Sequence, residues 1–448
     1  MTRVRSARSL AQSAAWIAAA AALSACGSGE TGSQPAATPA VPRTAAPEAP
    51  LPAAAPATPA DLPRGLALAL AQFVDREGKS VPGPARVEFL YRQGGAWKTA
   101  AIEDPESNVF HKAMLYDGPA GPRILTLGGS AAAVKAWALA GGKLEPTTLW
   151  QKDFGGKFSR MRDAEVADLY GDGSAAIAVA THDQGVVAVL RPPAAGAGPA
   201  FSVEELDHQP NTFVHEVEVG DLDGDGILEI YATPSEPNRL DGTPQAGKVV
   251  RYVPKKKQGR EVVADLGTRH AKEILVADID GDGRDELYVS VEGTTGGADG
   301  KQLALPVEIR VYHADTPATG GTRIATIPDR LSRFLTAGDV DGDGRKELVA
   351  AAFSSGVWLL RPGATPDAEW SKQLIDADSA GFEHAAILTD LDGDGRDELY
   401  VASDKHKEVR RYVWNGQRLE RETIYHRPDA RPIFTWNLMP VPVELIPR

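Results

Sequence analysis

The stretch HAAILTD (384–390) alternates apolar and polar positions, an acidic segment follows it, and a second apolar run, LYVAS (399–403), comes next. LYVSV (287–291) and IYATP (230–234) hold the equivalent place after two other acidic segments. A hairpin pattern then closes the unit, as in EVRRYVWNGQRLERETIY (408–425). Alternation with period two predicts half-buried strands, and Asn-Gly or Gly-Gly predicts the tight turns between them. Each unit therefore reads as four short strands. The acidic segments begin at residues 221, 278, 339 and 390, between 51 and 61 residues apart. A worn copy, DLYGDGSAA, begins at Asp168, and MLYDGPAGPRILTL (114–127) keeps the flanking pattern without the acids. Four strands repeating at this period predict an all-β fold, a β-propeller with one unit per blade. A β-helix needs much shorter repeats, and a helical solenoid needs a 3.6-residue period that is missing here.

The chain ends predict how the ring closes. Outer hairpins occur seven times, beginning with RVEFLYRQGGAWKTAAI (86–102), whereas inner strands with a recognisable loop occur six times. PIFTWNLMPVPVEL (432–445) can supply the missing inner strand. One blade built from both termini leaves no open sheet edge. The expectation is seven blades, with six and eight as the alternatives.

Ahead of the repeats the chemistry changes. Residues 1–25 carry Arg3, Arg5 and Arg8, then the apolar run AAWIAAAAAL (14–23), and they end before LSAC (23–26). The run is too short to span a bilayer, which takes about 20 residues, and it reads as a secretory signal. LSAC resembles the bacterial lipobox, which implies that Cys26, the single cysteine, is the lipidated first residue of the mature chain. Residues 26–62 are rich in Pro and Ala and read as an extended tether, leaving 63–448 for the propeller. The implied location is the bacterial cell envelope, at the outer membrane or on the periplasmic or cell-surface side, with the membrane engaged through the lipid. The formal charge of −13 argues against nucleic acid as a partner.

In DIDGDGRDE, Asp278, Asp280 and Asp282 alternate with residues that include Gly281, and Gly283 follows. Glycine lets the chain curl until the three carboxylates converge. Glu286 closes the set at the ninth position, and the carbonyl of Arg284 can add an oxygen. Hard oxygen donors in this number suit Ca²⁺ better than zinc or copper, and Mg²⁺ prefers fewer carboxylates. The loop is not an EF-hand, because the twelfth position is Ala232, Val289, Ala350 or Val401 instead of Glu. The pattern resembles the calcium loop of the FG-GAP/VCBS repeat family, propeller repeats found in integrin α-subunits and bacterial surface proteins. That resemblance covers about residues 110–405. It implies about four calcium sites: Asp221, Asp223, Asp225, Ile227 and Glu229; Asp278, Asp280, Asp282, Arg284 and Glu286; Asp339, Asp341, Asp343, Arg345 and Glu347; Asp390, Asp392, Asp394, Arg396 and Glu398. The family's ninth position is often Asp, so Glu is a departure. In the worn copy Tyr170 and Ala176 replace two acids, so weak binding or none is expected. These loops are expected to pin strands, not to perform chemistry.

The sequence holds no G-x-S-x-G, H-E-x-x-H or phosphate loop. KKK (255–257) reads as a solvated hairpin tip, and Trp137, Trp358 and Trp414 as packing residues. One regularity points towards a ligand. Six residues before each loop start stand His111, Arg162, His215, Lys272, Arg333 and His384. Simple alternation puts them at the exposed start of each innermost strand, around one channel mouth, where a basic ring could receive an acidic glycan or a carboxylate side chain of a protein. The competing reading pairs each base with a neighbouring acid such as Glu216 or Glu273. The function expected is a calcium-stabilised binding module without catalytic residues. The alternative is a polysaccharide-active enzyme, lyase-like in its chemistry.

Overall fold

The apolar runs that follow the acidic segments are buried on both faces, which is why they read as nearly continuous Val, Leu and Ala. Glu286–Val291, Glu347–Ala352 and Glu398–Ser403 are buried throughout. The outermost strand of each unit is largely exposed, as in Ser371–Asp376. The computed structural model describes residues 58–448, apart from 156–158, 183, 195–199, 236–244, 298–300, 366–367 and 429–431. Cys26, the signal segment and the tether up to residue 57 lie outside the described residues.

The strands form seven four-stranded antiparallel blades. Blades 2 to 7 run in chain order, each from the channel outward. Their innermost strands are Phe110–Gly118, Met161–Ala167, Phe213–Gly220, Ala271–Ala277, Ser332–Gly338 and Ala386–Thr389. Blade 1 is composite. The C-terminal strand Ile433–Pro442 is innermost and pairs with Arg64–Arg76, which in turn pairs with Ala85–Gln93 and Ala96–Asp104 in order. The ring is thus sealed by both termini, as the strand count required. Blade 1 also carries the short strand Lys79–Pro82, and blade 5 an extra hairpin, Thr294–Gly296 with Gln302–Leu305. Leu62, at the expected end of the tether, is already buried against blade 7 residues such as Tyr400.

Apolar side chains from facing sheets fill each blade–blade interface. Between blades 3 and 4, Ala178 and Val189 pack with Val217, Ile230 and Tyr252. Each fully buried Val or Leu contributes about 1.5–3 kcal/mol. Polar ties join the innermost strands as well. Asp163 accepts the Val217 N–H at 2.9 Å, Glu273 the Leu335 N–H at 2.8 Å, and Thr336 Oγ1 the Leu388 N–H at 3.0 Å.

Candidate functional site

The acidic loops follow the innermost strands of blades 4 to 7. Their paired glycines take left-handed dihedrals, with φ of +78° and +89° at Gly281 and Gly283. That curl lets the first Asp accept backbone N–H groups from its own loop. Asp278 accepts those of Gly281 at 2.7 Å and Gly283 at 3.0 Å, and Asp339 those of Gly342, Asp343 and Gly344. The carboxylates then gather. Ligand oxygens of Asp278, Asp280, Asp282 and Glu286 lie within 4.8 Å of one another, as do those of Asp221, Asp223 and Asp225, of Asp339, Asp341 and Glu347, and of Asp390, Asp392 and Asp394. This donor set fits a hard divalent cation. The backbone carbonyls of Ile227, Arg284, Arg345 and Arg396 sit in the same loops.

The ninth-position glutamates have a second task. Each accepts the N–H of the loop's second residue, from Leu222, Ile279, Val340 and Leu391. Burial pushes Glu286, Glu347 and Glu398 up to about 7. They buttress the loop from beneath. The worn loop keeps the curl, with Asp168 accepting the N–H groups of Asp172 and Gly173, but Arg191 occupies its acid side, 2.7 Å from Asp172.

Two features escaped the sequence reading. The eighth loop position reaches the preceding blade's loop. Asp285 accepts the Asp221 N–H at 2.8 Å, and Asp397 the Asp339 N–H at 2.9 Å, while Lys346 donates to the Asp278 carbonyl at 3.1 Å. Gly220 and Gly338 make room: a Cβ there would sit 2.7 Å from Asp285 and 2.6 Å from Asp397. The signal was a glycine just before a loop whose successor carries Asp at position eight. The second is Lys256, which stands exposed at the hairpin tip as expected but also pairs with Asp225.

At the other end of the channel, alternation misplaces the basic residues. His111, Arg162, His215, Lys272 and Arg333 all fall where the register with the second strand slips. A bulge re-aims the side chain, so these residues leave the face of Val217 and Val219 and turn to the axis. Trp436 of blade 1 lies in the same kind of bulge. The expected exposure is absent: His111, Arg162, His215, Lys272 and Arg333 are 2–6 % exposed. Arg162, Lys272 and Arg333 share one acid, Glu383 of blade 7. It pairs with the Lys272 ammonium and lies 3.7 Å from Arg162 and 4.0 Å from Arg333. Neither Glu216 nor Glu273 plays that part. Against the cost of burial, these cations hold Glu383 at about 2, while burial and the neighbouring Arg333 lower Lys272 to about 7. His384 stands apart. Its φ of +58° turns it between blades, where it donates from Nδ1 to the Ala352 carbonyl at 2.7 Å and its Nε2 accepts from Ser379 at 2.7 Å.

Four imidazoles line one side of this layer. Neighbouring ring centres lie 5.9 Å apart for His111 and His182, 5.4 Å for His182 and His215, and 5.3 Å for His215 and His270. Burial lowers all four, so they are neutral at pH 7. Both nitrogens of His215 and of His270, Nε2 of His111, Nδ1 of His182 and Nε1 of Trp436 have no hydrogen-bond partner among the described residues. Trp436 lies under Arg162 at 5.3 Å, and Phe382 under Arg333 at 5.4 Å. Beyond this layer the channel turns acidic: Lys112 pairs with Asp163 and Glu165, and burial raises Glu216, Glu218 and Glu273.

The family model for the FG-GAP-like repeat matches residues 339–401, the span from the first acid of the blade 6 loop into blade 7. Residues 339–401 thus match an FG-GAP-like repeat. Integrin alpha pat-2 of Caenorhabditis briggsae is 25% identical over 235 residues, covering 46% of this chain and 19% of that protein. Rhamnogalacturonan exolyase YesX of Bacillus subtilis (strain 168) is 25% identical over 245 residues, covering 43% of this chain and 39% of that enzyme. The chain aligns with between a fifth and two fifths of the length of these relatives. Among solved structures, an Agrocybe aegerita lectin that recognises non-reducing terminal N-acetylglucosamine superposes with a TM-score of 0.49 at 15% identity, over 82% of this chain and 92% of that one.

Proposed function

We propose that this FG-GAP propeller is a binding module of the bacterial cell envelope, tethered through a lipidated Cys26, pinned by calcium at its acidic loops, and built to hold an acidic polyhydroxylated ligand at the cationic end of its channel. The observation that carries the reading is the set of unpartnered nitrogens there. Buried polar atoms without partners are rare in native proteins and point to a missing water or ligand. His111 donates from Nδ1 to the Met161 carbonyl, so its free Nε2 is an acceptor and calls for a hydroxyl. Arg162 and Arg333 call for a carboxylate. Trp436, Phe382 and His182 are half-buried and offer flat faces to a sugar ring. The test is calorimetric titration with oligogalacturonate and with uncharged oligosaccharides of equal length. Binding of the acidic series alone, weakened tenfold or more by Trp436→Ala, supports the reading. No binding of either series, or equal binding of both, defeats it.

A second reading makes the same end a lyase centre, with neutral His182 as base and Arg162 or Arg333 neutralising the carboxylate. The alignment with a rhamnogalacturonan exolyase favours it. Release of unsaturated, ultraviolet-absorbing products from acidic polysaccharide would select this reading over simple binding.

A further inference from the structure

The loops differ in one respect that their shared motif hides. In blade 7, Arg411 lies 2.7 Å from Glu398 and 3.1 Å from Asp392. In blade 6, Arg361 lies 3.5 Å from both Asp341 and Glu347. In blade 4, Arg251 lies 2.9 Å from Glu229, and Lys256 adds a second cation at Asp225. In blade 3, Arg191 holds Asp172 and stacks 3.9 Å over Tyr170, the residue that replaces the second acid. All four arginines belong to the third strand of their own blade, at one of two register positions. Arg251 and Arg411 stand opposite the tyrosine two places after the ninth-position glutamate, at Tyr231 and Tyr400. Arg191 and Arg361 come just after the partners of Ile177 and Leu348. In blade 5 these two positions hold Val311, opposite Tyr288, and His313. Blade 5 is also the blade in which all four acids of the motif converge.

We infer that these third-strand arginines are resident counter-ions that grade the loops for calcium. The Asp278 loop is the tight site, the Asp221, Asp339 and Asp390 loops are weaker ones, and the Asp168 loop is held by Arg191 without metal. The inference rests on the calcium reading of the motif. Its physics is repulsion and competition. A guanidinium near 6 Å from a divalent ion in a water-like medium lowers affinity on the order of tenfold, and it also occupies a carboxylate oxygen the ion would use. In the Asp168 loop the same device has gone further: two acids are lost, and the arginine supplies the positive charge that keeps the turn closed.

The experiment is calorimetric titration of the calcium-free chain with calcium chloride, with circular dichroism confirming that each variant keeps its strand signal. The wild type should show two affinity classes. Asp280→Asn should abolish the tight class, whereas Asp172→Asn should leave the whole isotherm unchanged. Arg361→Gln should tighten one weak site about tenfold, and Arg361→Lys, which keeps the charge, should not. His313→Arg, at a half-buried position, should shift the tight class towards the weak one. A single affinity class, a tight class that survives Asp280→Asn, or an Arg361→Gln chain whose weak sites stay put or loosen overturns the grading while leaving calcium binding intact. Absence of any calcium binding by the wild type overturns the calcium reading itself, and the grading with it.

Discussion

Glu383 shows how much one side chain can settle at the residue scale. Three buried cations converge on it, and removing one partner of a buried ion cluster typically costs 3–5 kcal/mol, because the remaining charges lose their compensation. Glu383→Gln should therefore lower unfolding free energy by about 3 kcal/mol in denaturant melts. Pairing it with Lys272→Met should recover part of that loss, since one of the stranded cations is gone. The buried histidines set a pH dependence of definite sign. Burial holds His111 and His215 well below the ordinary histidine range and His384 at about 4. The unfolded chain takes up these protons near pH 6.5 while the folded chain does not. The stability they contribute is present above pH 6.5 and is lost as pH falls towards the folded values, by about 1 kcal/mol per histidine between pH 7 and 5.5. Unfolding midpoints that stay level across that window would contradict the assignment. The six basic positions were legible in the sequence because they share a place in the repeat. Their burial was not, since a bulge adds one residue to the strand and reverses the face that alternation assigns. In blade 7 the residue that joins the layer is Glu383, one position before the expected His384, and the left-handed turn at His384 carries that imidazole away.

At the scale of the element, the loops were the most legible part of the chain, because the alternation of Asp and Gly dictates the curl directly. What the motif does not reveal is that the loops touch. Asp397 ties the blade 7 loop to the blade 6 loop through two hydrogen bonds, accepting the Asp339 N–H and donating its own N–H to the Asp339 carbonyl, both at 2.9 Å. The carboxylate accepts the N–H of a residue whose own side chain belongs to the candidate metal set. Asp397→Ala should cost about 1–2 kcal/mol of stability, in line with loss of a charge-assisted hydrogen bond, and should weaken calcium binding at the Asp339 loop more than at the Asp278 loop. Gly338→Ala attacks the same junction from the other side. The added methyl group meets the Asp397 carboxylate at 2.6 Å and Leu388 at 2.9 Å, and overpacking of this kind typically costs about 1–3 kcal/mol. Gly344→Ala meets no crowding atom, but its φ of +84° strains the backbone, so it should destabilise through the turn alone and leave the Asp397 contact in place. Thermal melts of the two glycine variants, each with and without Asp397→Ala, separate the cases: Gly338→Ala should lose the part of its effect owed to the carboxylate and keep the part owed to Leu388, and Gly344→Ala should keep all of its own.

For the whole molecule, closure is the step that depends on the most distant parts of the chain. Ile433–Pro442 must find Arg64–Arg76, and until it does blade 1 lacks its inner strand and the channel lacks Trp436. The count of outer and inner strands made this pairing legible from the sequence, even though nothing local in either segment names its partner. Contacts so far apart in sequence form late and slowly, because loop closure must be met before the contacts reward it. Buried polar groups strengthen the closure. Arg427 lies between Glu88 of blade 1 and Asp404 of blade 7, and Asp404 also accepts the Thr435 N–H at 2.6 Å and its hydroxyl at 2.8 Å. Ending the chain at residue 432 would strand Asp404 and Arg427, bare the inner edge of Arg64–Arg76, and open the buried cationic layer to water. An exposed strand edge of this length is also a template for association with other chains. The truncated protein should therefore be recovered largely as aggregate, or melt well below the intact chain. Thr435→Val, which keeps the strand but removes the hydroxyl, tests the polar part alone. It should leave the size-exclusion profile of the intact protein unchanged and lower its stability by about 1–3 kcal/mol, the cost of leaving a buried charged group short of a hydrogen bond. Should the truncated chain keep the elution profile and the melting curve of the intact protein, the terminal strand would be an accessory and the ring would be held by the other six blades.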